Sequence, residues 1–208
     1  MIKKIKEGLW KISFKLFGSN VYLFKYCGKN IIIDTGAFWN RLELKKELKE
    51  IGILPEEIEI VLLTHNHFDH TGNIKIFKNA KIYGSKIDFE NKILNDSFSE
   101  EIMAEEIPED EKKVEGIIDL DKLKIDGMEV IEVPGHTKGN VVFYLPKEKI
   151  LFSGDHIFEN GYIGRTDLPN SLKDKMKESL EKTNKLDYNI FCPGHDYGVI
   201  ENWIKLAF

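Results

Sequence analysis

The segment THNHFDHTGN, residues 64–73, holds three of the chain's six histidines, His65, His67 and His70, with Asp69 among them. Imidazole and carboxylate suit a transition metal of borderline softness, so this HxHxDH spacing offers four ligands from one short stretch. On a regular helix His65 and His67 would point about 200° apart. On a loop leaving the end of a strand, all four side chains can converge. HExxH has the opposite geometry, with two histidines one turn apart on a helical face. One cluster cannot close a site for two metals, which need more than four ligands. The further candidates are His136 in VPGHTKGN, Asp155 and His156 in FSGDHIF, and His195 in CPGHDYG. Each follows a strand-like run and sits beside a glycine, so each projects from the same kind of strand-end loop.

The elements that must position these residues are legible as patterns. Residues 58–63 (IEIVLL) predict a buried strand whose end delivers Thr64 and the histidine cluster. Residues 20–26 and 30–34 predict strands around a turn at Cys27-Gly28-Lys29. Leu44, Leu48 and Ile51 fall at helical spacing, with Gly52 as terminator. Further strands are expected at 128–133, 140–145, 149–153 and 189–192. Helices are expected at 170–184, with an Asn170 cap and a Leu172, Met176, Leu180 stripe, and at 197–206. Strands interleaved with amphipathic helices predict a sheet core clothed by helices. With no Gly/Ser-rich linker and no internal repeat, one domain over 1–208 is the expectation. The stretch 97–111 carries seven acids and no base; it reads as a solvated helix and loop, with a lid over the site as the alternative.

Composition narrows the partners. A net charge of −5 gives no global footprint for nucleic acid or an anionic membrane. No window approaches the roughly 18 consecutive apolar residues of a membrane span, and the charged N-terminus is unlike a signal peptide. Cys27 and Cys192 match no disulfide or CxxC pattern. A cytoplasmic protein with a small-molecule substrate, no nucleic acid and no membrane is expected, its oligomeric state open.

The ordered set IIIDTG, THNHFDHTGN, PGHTKG, SGDHIF and PGH resembles the metallo-β-lactamase superfamily, motif by motif, from about residue 30 to residue 196. The resemblance implies an α+β, four-layer αβ/βα sandwich, with two mixed sheets packed face to face, helices outside and a metal site at the sheets' edge. It also implies two divalent cations, Zn2+ first with Fe or Mn as alternatives. His65, His67 and His136 would bind one cation, Asp69, His70 and His195 the other, and Asp155 would bridge them. His156 then reads as a packed or supporting imidazole, Asp34 as a loop support and Cys192 as buried. Thr64 and Thr137 read equally as supports for the imidazoles or as loop packing.

Two such cations hold a hydroxide at neutral pH, because coordination lowers the pKa of water toward about 7. The implied reaction is attack of that hydroxide on a carbonyl carbon, with Asp69 as the catalytic group that orients it. The segments IGRTDLP and GHDYG resemble the glyoxalase II-like branch, which hydrolyses thioesters of the hydroxyacylglutathione type; related esters and lactones fit the same chemistry. Arg165 is one of only two arginines among 30 basic residues. It reads either as a fork for a substrate carboxylate or as a partner of Asp167. Tyr197 matches a tyrosine placed near substrate in that branch. Phe38, Trp39, Phe68 and Tyr162 fall on loops expected to ring the site. Glyoxalase II enzymes add an all-helical extension that supplies glutathione contacts, whereas one predicted helix follows His195 here, leaving the thiol open. The rivals are a persulfide dioxygenase with one iron on His65, His136 and Asp155, a nuclease of the same fold, and a non-catalytic metal module.

Overall fold

Strands buried on both faces build two sheets that share one apolar interface. The computed structural model describes residues 1–90 and 116–196. In the first sheet, seven strands lie side by side in chain order: β1 (Ile2–Lys6), β2 (Leu9–Ile12), β3 (Val21–Tyr26), β4 (Lys29–Ile33), β5 (Ile60–Leu62), β6 (Lys81–Gly84) and β7 (Ile117–Asp119). The first four pair antiparallel and the rest join in parallel. The second sheet has the order β11 (Ile190–Pro193), β10 (Ile150–Gly154), β9 (Val141–Leu145), β8 (Glu129–Glu132), antiparallel except for β10 with β11.

Alternation decides which side chains meet. Tyr22, Phe24, Ile31, Ile33, Ile60 and Leu62 of the first sheet pack on Val141, Phe143, Leu145, Ile150 and Phe152 of the second. Their sequence neighbours Val21, Leu23, Ile32 and Val61 face the opposite way, onto Leu44 and Leu48 of helix α1 (Arg41–Ile51). On the outer face of the second sheet, Val142, Tyr144 and Leu151 form a separate cluster with Leu186 and Tyr188. This is the expected sandwich of two mixed sheets, with α1 outside one and α4 (Lys173–Thr183) the long helix of the second half. Gly52 ends α1 in the left-handed region at φ 86°, as its position in the sequence predicted. Cys27 and Gly28 form a two-residue hairpin turn, both at positive φ, between Tyr26 and Lys29.

The structure departs from the pattern reading in three places. Strands β1, β2, β6 and β7 were not anticipated; they are three to five residues long and exist through their partners rather than through a pattern of their own. The lysines of β1 also suit an outer strand, where charge discourages pairing with another chain. Asn170 does not cap a helix. Helix α4 begins at Lys173 after an uncapped Leu172, and the Asn170 amide instead donates to Asp88 Oδ1 at 3.4 Å. The buried stripe of α4 is Met176, Ser179 and Thr183, while Leu172 is exposed. The acidic stretch 97–111 and the helix expected at 197–206 lie outside the described residues. Among the described residues no helix is long and apolar enough to cross a membrane.

Candidate metal centre

Every donor singled out in the sequence emerges from the C-terminal end of a strand. His65 and His67 follow β5, and His67 precedes α2 (Phe68–Thr71), a single turn that carries Asp69 and His70. The HxHxDH stretch is therefore half loop and half helix, which lets His65 and His67 escape the 200° separation of a regular helix. His136 lies between β8 and β9, Asp155 directly follows β10, and His195 follows β11. Strands β8, β10 and β11 run in one direction. The loops at their C-terminal ends thus gather at one edge of the sandwich.

All seven side chains are brought together there, each residue 6% exposed or less. His67 Nδ1 lies 3.0 Å from His65 Nε2 and 2.9 Å from His136 Nε2. His70 Nε2 lies 3.3 Å from His195 Nε2, and His195 Nε2 lies 3.1 Å from Asp69 Oδ2. Asp155 sits between the two triplets: Oδ1 is 3.1 Å from His70 Nε2, and Oδ2 is 3.6 Å from His136 Nε2 and 3.5 Å from His195 Nε2. The sets His65/His67/His136, Asp69/His70/His195 and His65/His70/Asp155 each place their ligand atoms within 4.8 Å of one another.

The outward-facing nitrogens fix the tautomers. His65 Nδ1 meets the Thr64 hydroxyl at 2.9 Å, and that hydroxyl donates in turn to Asp34 Oδ2, also at 2.9 Å. His70 Nδ1 donates to Asp34 Oδ2 at 2.7 Å, and His136 Nδ1 donates to the Arg165 carbonyl at 2.8 Å. With Nδ1 committed outward in all three rings, Nε2 is the nitrogen that faces the cluster. Asp34 also accepts from Thr64 N at 2.9 Å, so one buried carboxylate supports both halves of the HxHxDH turn. Asp155 Oδ1 is buried and takes no hydrogen bond of acceptable geometry. Inward-facing Nε2 atoms and a buried carboxylate oxygen that accepts no hydrogen bond among the described residues fit divalent cations as ligand sets.

Electrostatics divides the cluster in two. Burial, with the neighbouring imidazoles adding to it, holds His65 well below the ordinary value and His67 down to about 3, and burial keeps His136 low although Asp155 and the Arg165 carbonyl pull the other way. These rings are neutral and ready to ligate. For His70 and His195 burial pulls the same way but is outweighed by carboxylates. Asp155, Asp34 and Asp69 hold His70 well above the imidazole range, and Asp155 with Asp69 lifts His195 to about 9. In turn, burial is outweighed at Asp155, which His195 and His70 hold well below the carboxylate range. A cation entering the second set therefore displaces protons.

Packing around the cluster leaves no room for side chains at two glycines. A methyl at Gly194 would stand 2.1 Å from Asp155 Oδ1, and one at Gly164 would stand 1.9 Å from the Asp155 carbonyl. The His195 loop is tied to the first sheet, because Tyr22 Oη and Asn20 Nδ2 donate to the Pro193 carbonyl at 2.7 and 3.1 Å.

Other residues marked in the sequence fall outside the cluster. Arg165 forks onto Asp167 through Nε at 2.9 Å and Nη2 at 2.7 Å, the pairing alternative of the two readings. Its carbonyl reaches the centre through His136 Nδ1. Thr137 touches no imidazole; its hydroxyl donates to Asp88 Oδ2 at 2.6 Å. His156 turns away to Thr183 Oγ1 at 3.1 Å, and burial lowers it to about 4. Cys192 is fully buried between the sheets, and burial pushes its thiol up. Phe68 is a core residue with Trp39 packed on it at 5.4 Å rather than part of an exposed wall, because α2 turns it inward. Tyr162 is exposed, and Tyr197 lies outside the described residues. Sequence reasoning missed Phe17, whose ring stacks on His195 at 5.7 Å, and Asp88. No local spacing marks either one.

A family model described as the metallo-beta-lactamase superfamily matches residues 15–195, a span that contains all seven donors. The chain belongs to the metallo-beta-lactamase superfamily. A hydroxyacylglutathione hydrolase, GloC, of Haemophilus influenzae is 32% identical over 179 residues, covering 79% of this chain and 78% of that protein. A probable metallo-hydrolase of Methanocaldococcus jannaschii is 31% identical over 168 residues, covering 80% of this chain and 70% of that protein. Such relatives put this superfamily member in the glyoxalase II-like branch. Among solved structures, TTHA1623 in a di-iron-bound form superposes with a TM-score of 0.73 at 26% identity, covering 89% of this chain and 91% of that one. The B3 metallo-beta-lactamase BLEG-1 also reaches 0.73 at 26% identity, over 94% and 91%. As a superfamily member with this His/Asp cluster, the protein is a metal-binding hydrolase.

Proposed function

We propose that the protein is a binuclear thioesterase of the glyoxalase II type, acting on small-molecule thioesters or related esters and lactones. His65, His67 and His136 hold one cation, Asp69, His70 and His195 hold the other, and Asp155 is shared. The observation that carries this reading is the commitment of Nδ1 on His65, His70 and His136 to outside partners, which turns three Nε2 atoms toward one buried space. When bound, divalent cations supply Lewis acidity toward a carbonyl and lower the pKa of water toward about 7. Zinc suits the nitrogen and oxygen donors, and the di-iron form of TTHA1623 supports iron as the alternative.

The chain's own residues do the rest. Asp69 presents its carboxylate beside His195 at 3.1 Å, where it can hold and orient a proton of the attacking water. Asp34, Thr64 and the Arg165 carbonyl keep the imidazoles from rotating. Phe17 stacks on the His195 ring, with centroids 5.7 Å apart. Thioesters are favoured over other acyl substrates because the hydroxyacylglutathione hydrolases are among the relatives. A persulfide dioxygenase would use His65, His136 and Asp155 and leave four converging donors without a role.

Elemental analysis of the purified protein, followed by a panel of thioesters, esters and lactones, tests the reading. Two zinc, or mixed ions summing to two, with thioester turnover abolished by a chelator supports it. One iron per chain after zinc-supplemented expression, with oxygen consumed on a persulfide, would overturn it.

A further inference from the structure

The three nitrogens of the first cation set come from different sheets. His65 and His67 follow β5 of the first sheet, and His136 follows β8 of the second. Their separation therefore depends on how the two sheets dock, and not on any one loop. Asp88, on the short helix α3 (Lys86–Phe89) after β6, spans that junction. Its two carboxylate oxygens are used separately: Oδ2 accepts from Thr137 Oγ1 at 2.6 Å and Oδ1 from Gly139 N at 2.7 Å, both in the loop that carries His136. Its own carbonyl accepts from Asn66 Nδ2 at 2.6 Å, and Asn66 stands between His65 and His67. Asn170 Nδ2 adds a longer contact to Oδ1 at 3.4 Å, from the segment whose Arg165 carbonyl holds His136 Nδ1.

Asp88 touches none of the seven donors in these contacts, yet it grips the neighbours of all three histidines. It is buried, 5% exposed, so these bonds are shielded from water and salt. The approach is also close: a methyl on Gly139 would stand 2.8 Å from Asp88 Oδ1 and 2.5 Å from Ser85 Oγ. Fixing both carboxylate oxygens sets the plane of the group, so the brace resists rotation as well as separation. We infer that Asp88 is a positioning residue that sets His136 against the His65–His67 pair across the gap between the sheets. This rests on the binuclear reading above and assigns a specific part of it to a residue outside the motifs.

The test is a competitive-chelator titration of Zn2+ on wild type, D88A, D88N and T137V, with urea unfolding of each metal-free protein. H136A and H195A identify which of the two affinities belongs to which set. Loss of an outer support lowers metal affinity by about 10- to 100-fold. D88A should show that loss in the first set alone, with the second unchanged. D88N keeps an acceptor for Gly139 N, and the Thr137 hydroxyl can turn to accept from the amide, so it should recover most of the affinity. T137V removes one hydrogen bond of about 1 kcal/mol, which corresponds to about fivefold, again in the first set only. The inference is overturned if D88A binds both cations as wild type does, if both affinities fall together, or if D88N is no better than D88A. Should D88A fail to fold, an unchanged first affinity in T137V overturns it equally. A wild-type chain that binds no cation fails the binuclear reading itself, and that outcome is distinct from two normal sites indifferent to position 88.

Discussion

Replacing Asp34 with asparagine turns one oxygen, the acceptor of two hydrogen bonds, into a donor nitrogen. Residue 34 sits at φ 56°, a left-handed conformation that asparagine tolerates as well as aspartate, so the backbone need not move. The amide oxygen can still accept from Thr64 N. The amide nitrogen then faces Thr64 Oγ1 and His70 Nδ1, which now meet Asp34 Oδ2 at 2.9 and 2.7 Å. Facing a donor, His70 must accept on Nδ1 and carry its proton on Nε2, the atom 3.1 Å from Asp155 Oδ1. A cation can take Nε2 only if that proton leaves or moves to Nδ1, against the amide donor. The expected loss is about 10- to 100-fold in affinity for the second cation, or about 1.4–2.8 kcal/mol. The first cation should suffer less, because His65 feels Asp34 only through the Thr64 hydroxyl. Two charge-assisted bonds at about 1.5–3 kcal/mol each bound the loss of folding stability at roughly 3–6 kcal/mol. A chelator titration reads the first effect and urea unfolding the second. D34N with a wild-type second affinity would refute the tautomer argument.

Four further outcomes are expected. D69A should abolish thioester turnover while the protein still folds, as seen by circular dichroism; near-normal kcat would remove Asp69 from the chemistry. F143A, which empties a fully buried site between the sheets, should cost about 3–5 kcal/mol in urea unfolding and leave cation affinity unchanged. G194A puts a methyl 2.1 Å from Asp155 Oδ1 and 2.8 Å from His70 Cε1, so cation binding should weaken more than tenfold by titration, with about 1–3 kcal/mol of overpacking strain. His195, lifted to about 9, and His70, held higher than usual, both carry protons at pH 7, so cation entry into the second set releases them. Apparent affinity should rise with pH up to about 9, and calorimetry in buffers of different ionisation enthalpy should detect the released protons; binding with no proton release across pH 7–9 contradicts the assignment.

The sequence, read with its family resemblance, was enough to single out the seven side chains that the structure gathers at one edge and the strands that carry them. Coordination demands uncommon residue types at short spacing, and HxHxDH meets that demand within six positions. Strands such as Val141–Leu145 and Ile150–Gly154 were legible because burial between two layers leaves an unbroken apolar run. Gly52 was legible because a helix end in the left-handed region favours glycine. What failed was local inference about contacts made at long range. Asn170 had the chemistry of a cap, but its amide was recruited by Asp88, 82 positions earlier. Thr137, which read equally as an imidazole support or as loop packing, bonds the same carboxylate.

Tertiary structure alone decided how the donors are held. His136 is oriented by a backbone carbonyl at residue 165, which any side chain could accompany, so the identity of Arg165 carries no trace of that duty. Asp88 appears in no spacing pattern, because its role exists only where the β5, β6 and β8 ends meet. Ligand identity is a property of single side chains and is written along the chain. Ligand orientation is a property of hydrogen bonds between segments far apart in sequence, and it arises only when the two sheets pack.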